Sequence, residues 1–260
     1  MKKLLTILTI LSFTSIAFVS CKDDDDDNNS HPTPTSGDVI IDITNVAGTQ
    51  NLDVTGATNY TNSFGETFNV TRFKYYISNV QLLNNGTVVY TMPESYFLVD
   101  ESVQSTTKLT LPDVPPGAYT SVRFMVGVDS TRNVSGSQTG ALDPANGMFW
   151  TWNSGYIFLK LEGTSTVNGG TNFVYHVGGF KDALNQNATR VVELDFNGSS
   201  MTVDGSHEAE LHLIANVLNL FDAVQDIPIA SVSTIHMPGA NAMKMADNYA
   251  EMFTFDHIHN

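Results

Sequence analysis

The stretch AELHLIANV, residues 209–217, decides the fold class. Ala209, Leu211, Leu213, Ala215 and Val217 fall on one side of an extended chain, with Glu208, Glu210, His212 and Asn216 on the other. Side chains of a strand alternate in this way, so the stretch reads as a β-strand with one buried face. The same period recurs through the chain. Val39 to Ile43 begins the series, and Phe73, Tyr75 and Ile77 alternate until a change of phase near Ser78-Asn79 brings in Val80 and Leu82, which predicts a bulge. Asn84-Asn85-Gly86 then predicts a hairpin turn into Val88 to Tyr90. Tyr96 to Val99, Leu109 to Leu111 and Val122 to Val128 continue the pattern, punctuated by Pro115-Pro116-Gly117. Further along, Ile157, Leu159 and Leu161 share a face, followed by Phe173 to Val177 and by Val192, Leu194 and Phe196. Only Val217 to Val224 and Asn241 to Phe253 read as helical. So many strands between Gly and Pro turns predict an all-β chain, an antiparallel β-sandwich of Ig-like or Greek-key type with a short C-terminal helix.

Outside the strands, composition divides the chain into three parts. Residues 1–20 carry Lys2 and Lys3 ahead of an apolar run from Leu4 to Val19, which reads as a secretory signal too short to span a bilayer. Cys21, the only cysteine, has no internal disulfide partner, and Phe18-Val19-Ser20-Cys21 resembles a bacterial lipobox. Residues 21–36 hold Lys22, the run Asp23 to Asp27 and a Ser/Pro/Thr-rich segment, a solvated tether by composition. Lysine followed by acidic residues directly after the lipidated cysteine resembles the surface-export signal of Bacteroidetes-type lipoproteins. The expectation is an outer-membrane anchor through Cys21 with the domain, residues 37–260, at the cell surface. The formal net charge is −15. Such acidity repels nucleic acid and removes that class of partner.

No motif of hydrolytic or nucleotide chemistry is present, and paired carboxylates such as Glu208 and Glu210 read as an exposed strand face. No enzymatic activity is expected. The histidines carry more. His257-Ile258-His259 would place two imidazoles on one side of an extended segment, where they can chelate a borderline metal, although a terminus ending at Asn260 is commonly unordered. His236 precedes a segment with Met243, Met245 and Met252, a soft donor set suited to copper(I), yet core packing is the ordinary use of such methionines. His176 would point inward if its strand buried Val174 and His176 together, and would then need a partner. Trp150 and Trp152, both tryptophans of the chain, share a face in extended geometry and form either a core cluster, a sugar-stacking platform or an oxidisable pair.

Several segments together resemble a known family. Phe73-Lys74-Tyr75-Tyr76-Ile77-Ser78-Asn79, Pro115-Pro116-Gly117-Ala118-Tyr119, Phe124 to Asp129, Met148-Phe149-Trp150-Thr151-Trp152-Asn153-Ser154-Gly155-Tyr156, Glu162-Gly163 and Ala246-Asp247-Asn248 are similar to the MbnP-like copper-binding domain. The resemblance implies an exported β-sandwich that binds copper. It also implies oxidation of one tryptophan to kynurenine, which ligates the metal with two histidines, by a partner di-haem enzyme of the MauG/cytochrome c peroxidase type. Trp150 is the first residue to expect modified and Trp152 the second, with His176 and His236 as the imidazole ligands. Trp152 stands where one such site has a ligand histidine. A TonB-dependent transporter is a further expected partner. The competing expectation is a surface lipoprotein that binds glycan or protein and has no metal site.

Overall fold

The strand expected at residues 209–217 forms as Ala209–Asn216, and every second side chain is buried in the predicted phase. The computed structural model describes residues 35–136, 138–150, 155–181 and 186–260. Cys21, the signal, the tether to residue 34 and Trp152 lie outside the described residues. Ala209–Asn216 runs parallel to Gly37–Ala47, with Ile41 opposite Leu211 and Ile43 opposite Leu213. Phe253–His259 flanks it antiparallel on one side, and Lys108–Val114 flanks Gly37–Ala47 on the other. The first sheet therefore runs 253–259, 209–216, 37–47, 108–114.

The second sheet is organised by Thr67–Asn84, an 18-residue strand. Its predicted change of phase is a bulge: Asn79 takes a φ of 54°, and the register against Ser121–Val126 shifts between Ser78 and Gln81. A bulge bends its strand. The first half thus pairs with Gly155–Ser165 and Tyr96–Asp100, the second with Ser121–Val126 and Thr87–Thr91. The hairpin turn also forms where expected, with Asn85 and Gly86 at φ 46° and 76°, the double positive φ that a two-residue turn requires. Thr171–Gly178 pairs with the free side of Gly155–Ser165, and Thr234–Ile235 closes that edge.

The strands are not all antiparallel. Residues 37–47 with 209–216, and 171–178 with 234–235, are parallel pairs. Parallel neighbours need a long crossover and leave no turn signal between them, so local pattern reading finds the strands but not the pairing.

Aromatic residues fill the space between the sheets. Phe253 of the first sheet meets Tyr75 at 5.7 Å and Phe124 at 5.0 Å between ring centroids, and Tyr75 Oη donates to Asn45 Oδ1 across the interface at 2.9 Å. Helix Ala240–Ala250 connects the second sheet to the first, burying Met245 and half-burying Met243, so these methionines pack in the core. The chain does not end as an unordered tail after this helix. Phe253–His259 is an ordered strand, because Phe253 and Phe255 anchor it, Phe255 stacking on Phe196 at 5.3 Å.

Candidate functional site

Gly155–Ser165 is buried on both faces for most of its length. Its inner face holds Ile157, Leu159 and Leu161 against the core. The outer face carries Tyr156 and Phe158, both buried, and Asn133, Leu142 and Phe149 of the preceding segments lie against Tyr156. Helix Ser130–Val134 starts this cover, N-capped by Asp129, and Asn133 Oδ1 accepts the backbone N–H of Tyr156 at 3.0 Å. Tyr156 Oη donates to Leu142 O at 2.7 Å and Tyr76 Oη to Ala141 O at 2.9 Å. Phe149–Trp150 then pairs with Gly155 and Tyr156 as a short strand.

This cover sets the position of Trp150. Its buried indole lies over Gly178, where an added Cβ would come within 3.0 Å and 3.1 Å of ring carbons and 2.4 Å of Tyr156 O. Only glycine leaves room for that ring. His176 sits two residues before Gly178 on the same outward face, since Phe173, Tyr175 and Val177 turn inward. The inward orientation considered for His176 is thus reversed, because the core claims the odd-numbered aromatic positions.

The His176 imidazole is half-buried and has a partner: Nε2 lies 2.7 Å from Glu162 Oε1 on the neighbouring strand. Arg72 Nη1 donates to the other Glu162 oxygen at 3.1 Å. Burial lowers the His176 pKa, with the Glu162 contact acting in the opposite direction. A neutral ring that donates Nε2–H to a carboxylate leaves Nδ1 with its lone pair, as a metal ligand requires. Beside it, Lys160 is directly opposite His176, and burial lowers its pKa while its Nζ donates to Gly147 O in the cover.

His236 approaches from the sheet edge. The parallel register pairs Val174 with Thr234 and Tyr175 with Ile235, both Tyr175 and Ile235 being buried. One residue further, His176 turns outward within its strand, while His236 is exposed just past the end of the short strand Thr234–Ile235. Trp150 thus packs against the strand that carries His176, and His236 follows the segment that pairs with that strand. Among the described residues, His236, His176 and Glu162 are not grouped closely enough to form a three-ligand set. Imidazole and carboxylate suit copper in kind. The Trp150 indole as it stands offers no lone pair, so it fits as a ligand only once oxidised. Sequence reading missed Glu162 and Lys160 as parts of this arrangement. Their one signal is polarity within an otherwise apolar strand.

A family model described as MbnP matches residues 36–238. The solved structure of MbnP from Methylosinus trichosporium is 16% identical, covering 79% of this chain and 83% of that one, with a TM-score of 0.45. No curated protein matches the chain.

Proposed function

We propose, from the premise that the chain belongs to the MbnP family, a family linked to copper handling, that this is a lipid-anchored, exported and non-catalytic protein of copper capture. Its copper is held at the outward face of strand 171–178. His176 and His236 supply imidazole nitrogen, Glu162 orients His176, and Trp150, once oxidised to kynurenine by a partner di-haem enzyme, supplies an aniline nitrogen. Trp152, the second candidate for that oxidation, lies outside the described residues. Copper would add a redox-active charge to this face; the protein's own groups fix the imidazole tautomer and exclude water beneath the indole.

The observation that carries the reading is that Trp150 packs over Gly178, two residues after His176, while the segment leading into His236 pairs with the same strand through Thr234 and Ile235. Burial of Trp150 also counts against a sugar-stacking role for that ring. Protein purified from its native host tests the proposal. The expected result is bound copper and a Trp150 peptide heavier by about 4 Da, one oxygen gained and one carbon lost. Copper occupancy should fall in His176→Ala and His236→Ala. An unmodified mass together with no copper retained after dialysis would refute the reading.

A further inference from the structure

A second group of imidazoles lies on the other sheet. Glu210 and His212 project outward from strand 209–216, and the antiparallel register sets His257 opposite His212 and His259 opposite Glu210. A bulge builds this arrangement. Phe255 pairs with Leu213 and His257 with His212, which leaves Asp256 as the extra residue. Phe253 and Phe255 point inward; had the alternation continued, His257 and His259 would have pointed inward with them. The bulge resets the phase, so Ile258 turns inward and both histidines join His212 outside.

The three rings are in contact. His212 stacks on His257 at 4.2 Å between centroids, and His259 meets them edge-on at 5.1 Å and 4.8 Å. His257 Nε2 and His259 Nε2 are 3.1 Å apart, and one nitrogen from each of the three rings lies within 4.8 Å of the others. Two ligands of one centre at about 2.0–2.1 Å stand roughly 3 Å apart, so this pair already has metal-ligand spacing. His212 Nε2 is buried without a hydrogen-bond partner, and a buried polar atom left so is costly. His257 Nδ1 lies 2.9 Å from Asp256 Oδ2, and a ring that donates Nδ1–H to such a carboxylate presents its Nε2 lone pair to a metal. Glu210 Oε2 stands 3.5 Å from His212 Nε2 and adds negative charge. The anchoring of Phe253 and Phe255 holds the strand in place.

We propose that His212, His257 and His259 form a three-imidazole site for one divalent transition-metal ion, separate from the Trp150 face and independent of tryptophan oxidation. Imidazole sites favour Cu(II) over Zn(II). His257 and His259 lie beyond residue 238, the end of the family match. An ion must lie in the plane of each ring that binds it, so the half-exposed His257 ring turns out of its stack as the metal enters.

The test is titration of untagged protein, made in a host that leaves tryptophan unmodified, with Cu(II) and with Zn(II), followed by calorimetry and, for copper, by electron paramagnetic resonance. One equivalent bound through nitrogen is expected, tighter for Cu(II). The double variant H257A/H259A should lose it by more than the about 10–100-fold that outer-shell changes cost, and Asp256→Asn should weaken it within that range. His207→Ala, which removes an exposed imidazole outside both groups, should titrate as wild type, and the unmodified tryptophan of this host separates the proposal from the fate of the Trp150 reading. Unaltered binding in H257A/H259A overturns the proposal, as does an equal loss in His207→Ala. Should H257A/H259A fail to fold, His212→Gln replaces it, with one fewer nitrogen expected in the copper spectrum and an unchanged spectrum overturning the proposal.

Discussion

Gly178 decides more about the first face than any ligand residue does. Its missing side chain is the space into which Trp150 packs, and a Cβ there would stand 2.4 Å from Tyr156 O, a backbone atom that cannot swing aside. Gly178→Ala should cost about 1–3 kcal/mol, as overpacking generally does. Measured in a Trp152→Phe background, it should also shift the Trp150 emission to the red as the ring is displaced toward water. Unchanged stability and emission would show that the indole does not rest on this glycine. The residues of this face were only partly legible. Trp150 could be named from the sequence because its segment resembles a family, and His176 and His236 because imidazole is a metal donor. Glu162 and Lys160 could not, since their meeting with His176 depends on the register between two strands, and that register shifts between Ile157 and Leu159.

Among the elements, the strands were legible wherever one face is buried, because period two is then imposed by the core itself. Bulges were legible for the same reason: the break at Ser78-Asn79 announces one. Phe253, Phe255 and Ile258 announce another in the same way, masked by the closeness of the terminus. Helix Ala240–Ala250 was expected from its pattern, but its role as a buttress is visible only in three dimensions. The Asn248 side chain, fully buried, makes four hydrogen bonds to the 217–229 segment. Its amide donates to Leu220 O at 2.9 Å and Gln225 O at 2.7 Å, while its oxygen accepts Val224 N–H at 2.9 Å and Gln225 N–H at 2.8 Å. Asn248→Ala leaves four backbone groups without these partners, and at about 1 kcal/mol net for each bond the expected loss is about 3–4 kcal/mol in urea unfolding. Asn248→Asp keeps the two acceptor bonds and loses the donors, so it should fall between. Equal stability of all three proteins would mean that the segment is held by apolar packing alone.

At the scale of the whole chain, the two faces proposed to bind metal belong to different sheets, and the formal charge of −15 raises the local concentration of cations around both. That attraction is screened beyond about 10 Å at 0.1 M salt, so capture from solution should weaken as salt rises while bound ions stay. Capture at a membrane needs an anchor. Among the described residues no helix is long and apolar enough to cross a bilayer, and Leu4 to Val19 is too short to do so with normal flanks. The proposed anchor is acylation at Cys21, each buried methylene contributing about 0.8 kcal/mol. Wild-type protein in its host should sediment with membranes, incorporate labelled fatty acid and be cleaved by protease added to intact cells. Cys21→Ser should lose the label and move to the soluble fraction, while the purified variant keeps its metal-binding stoichiometry because the sites lie in the folded domain. A Cys21→Ser protein that still sediments with membranes would refute the lipid anchor. Protease resistance of the wild type on intact cells would instead retain the anchor and turn the protein toward the periplasm.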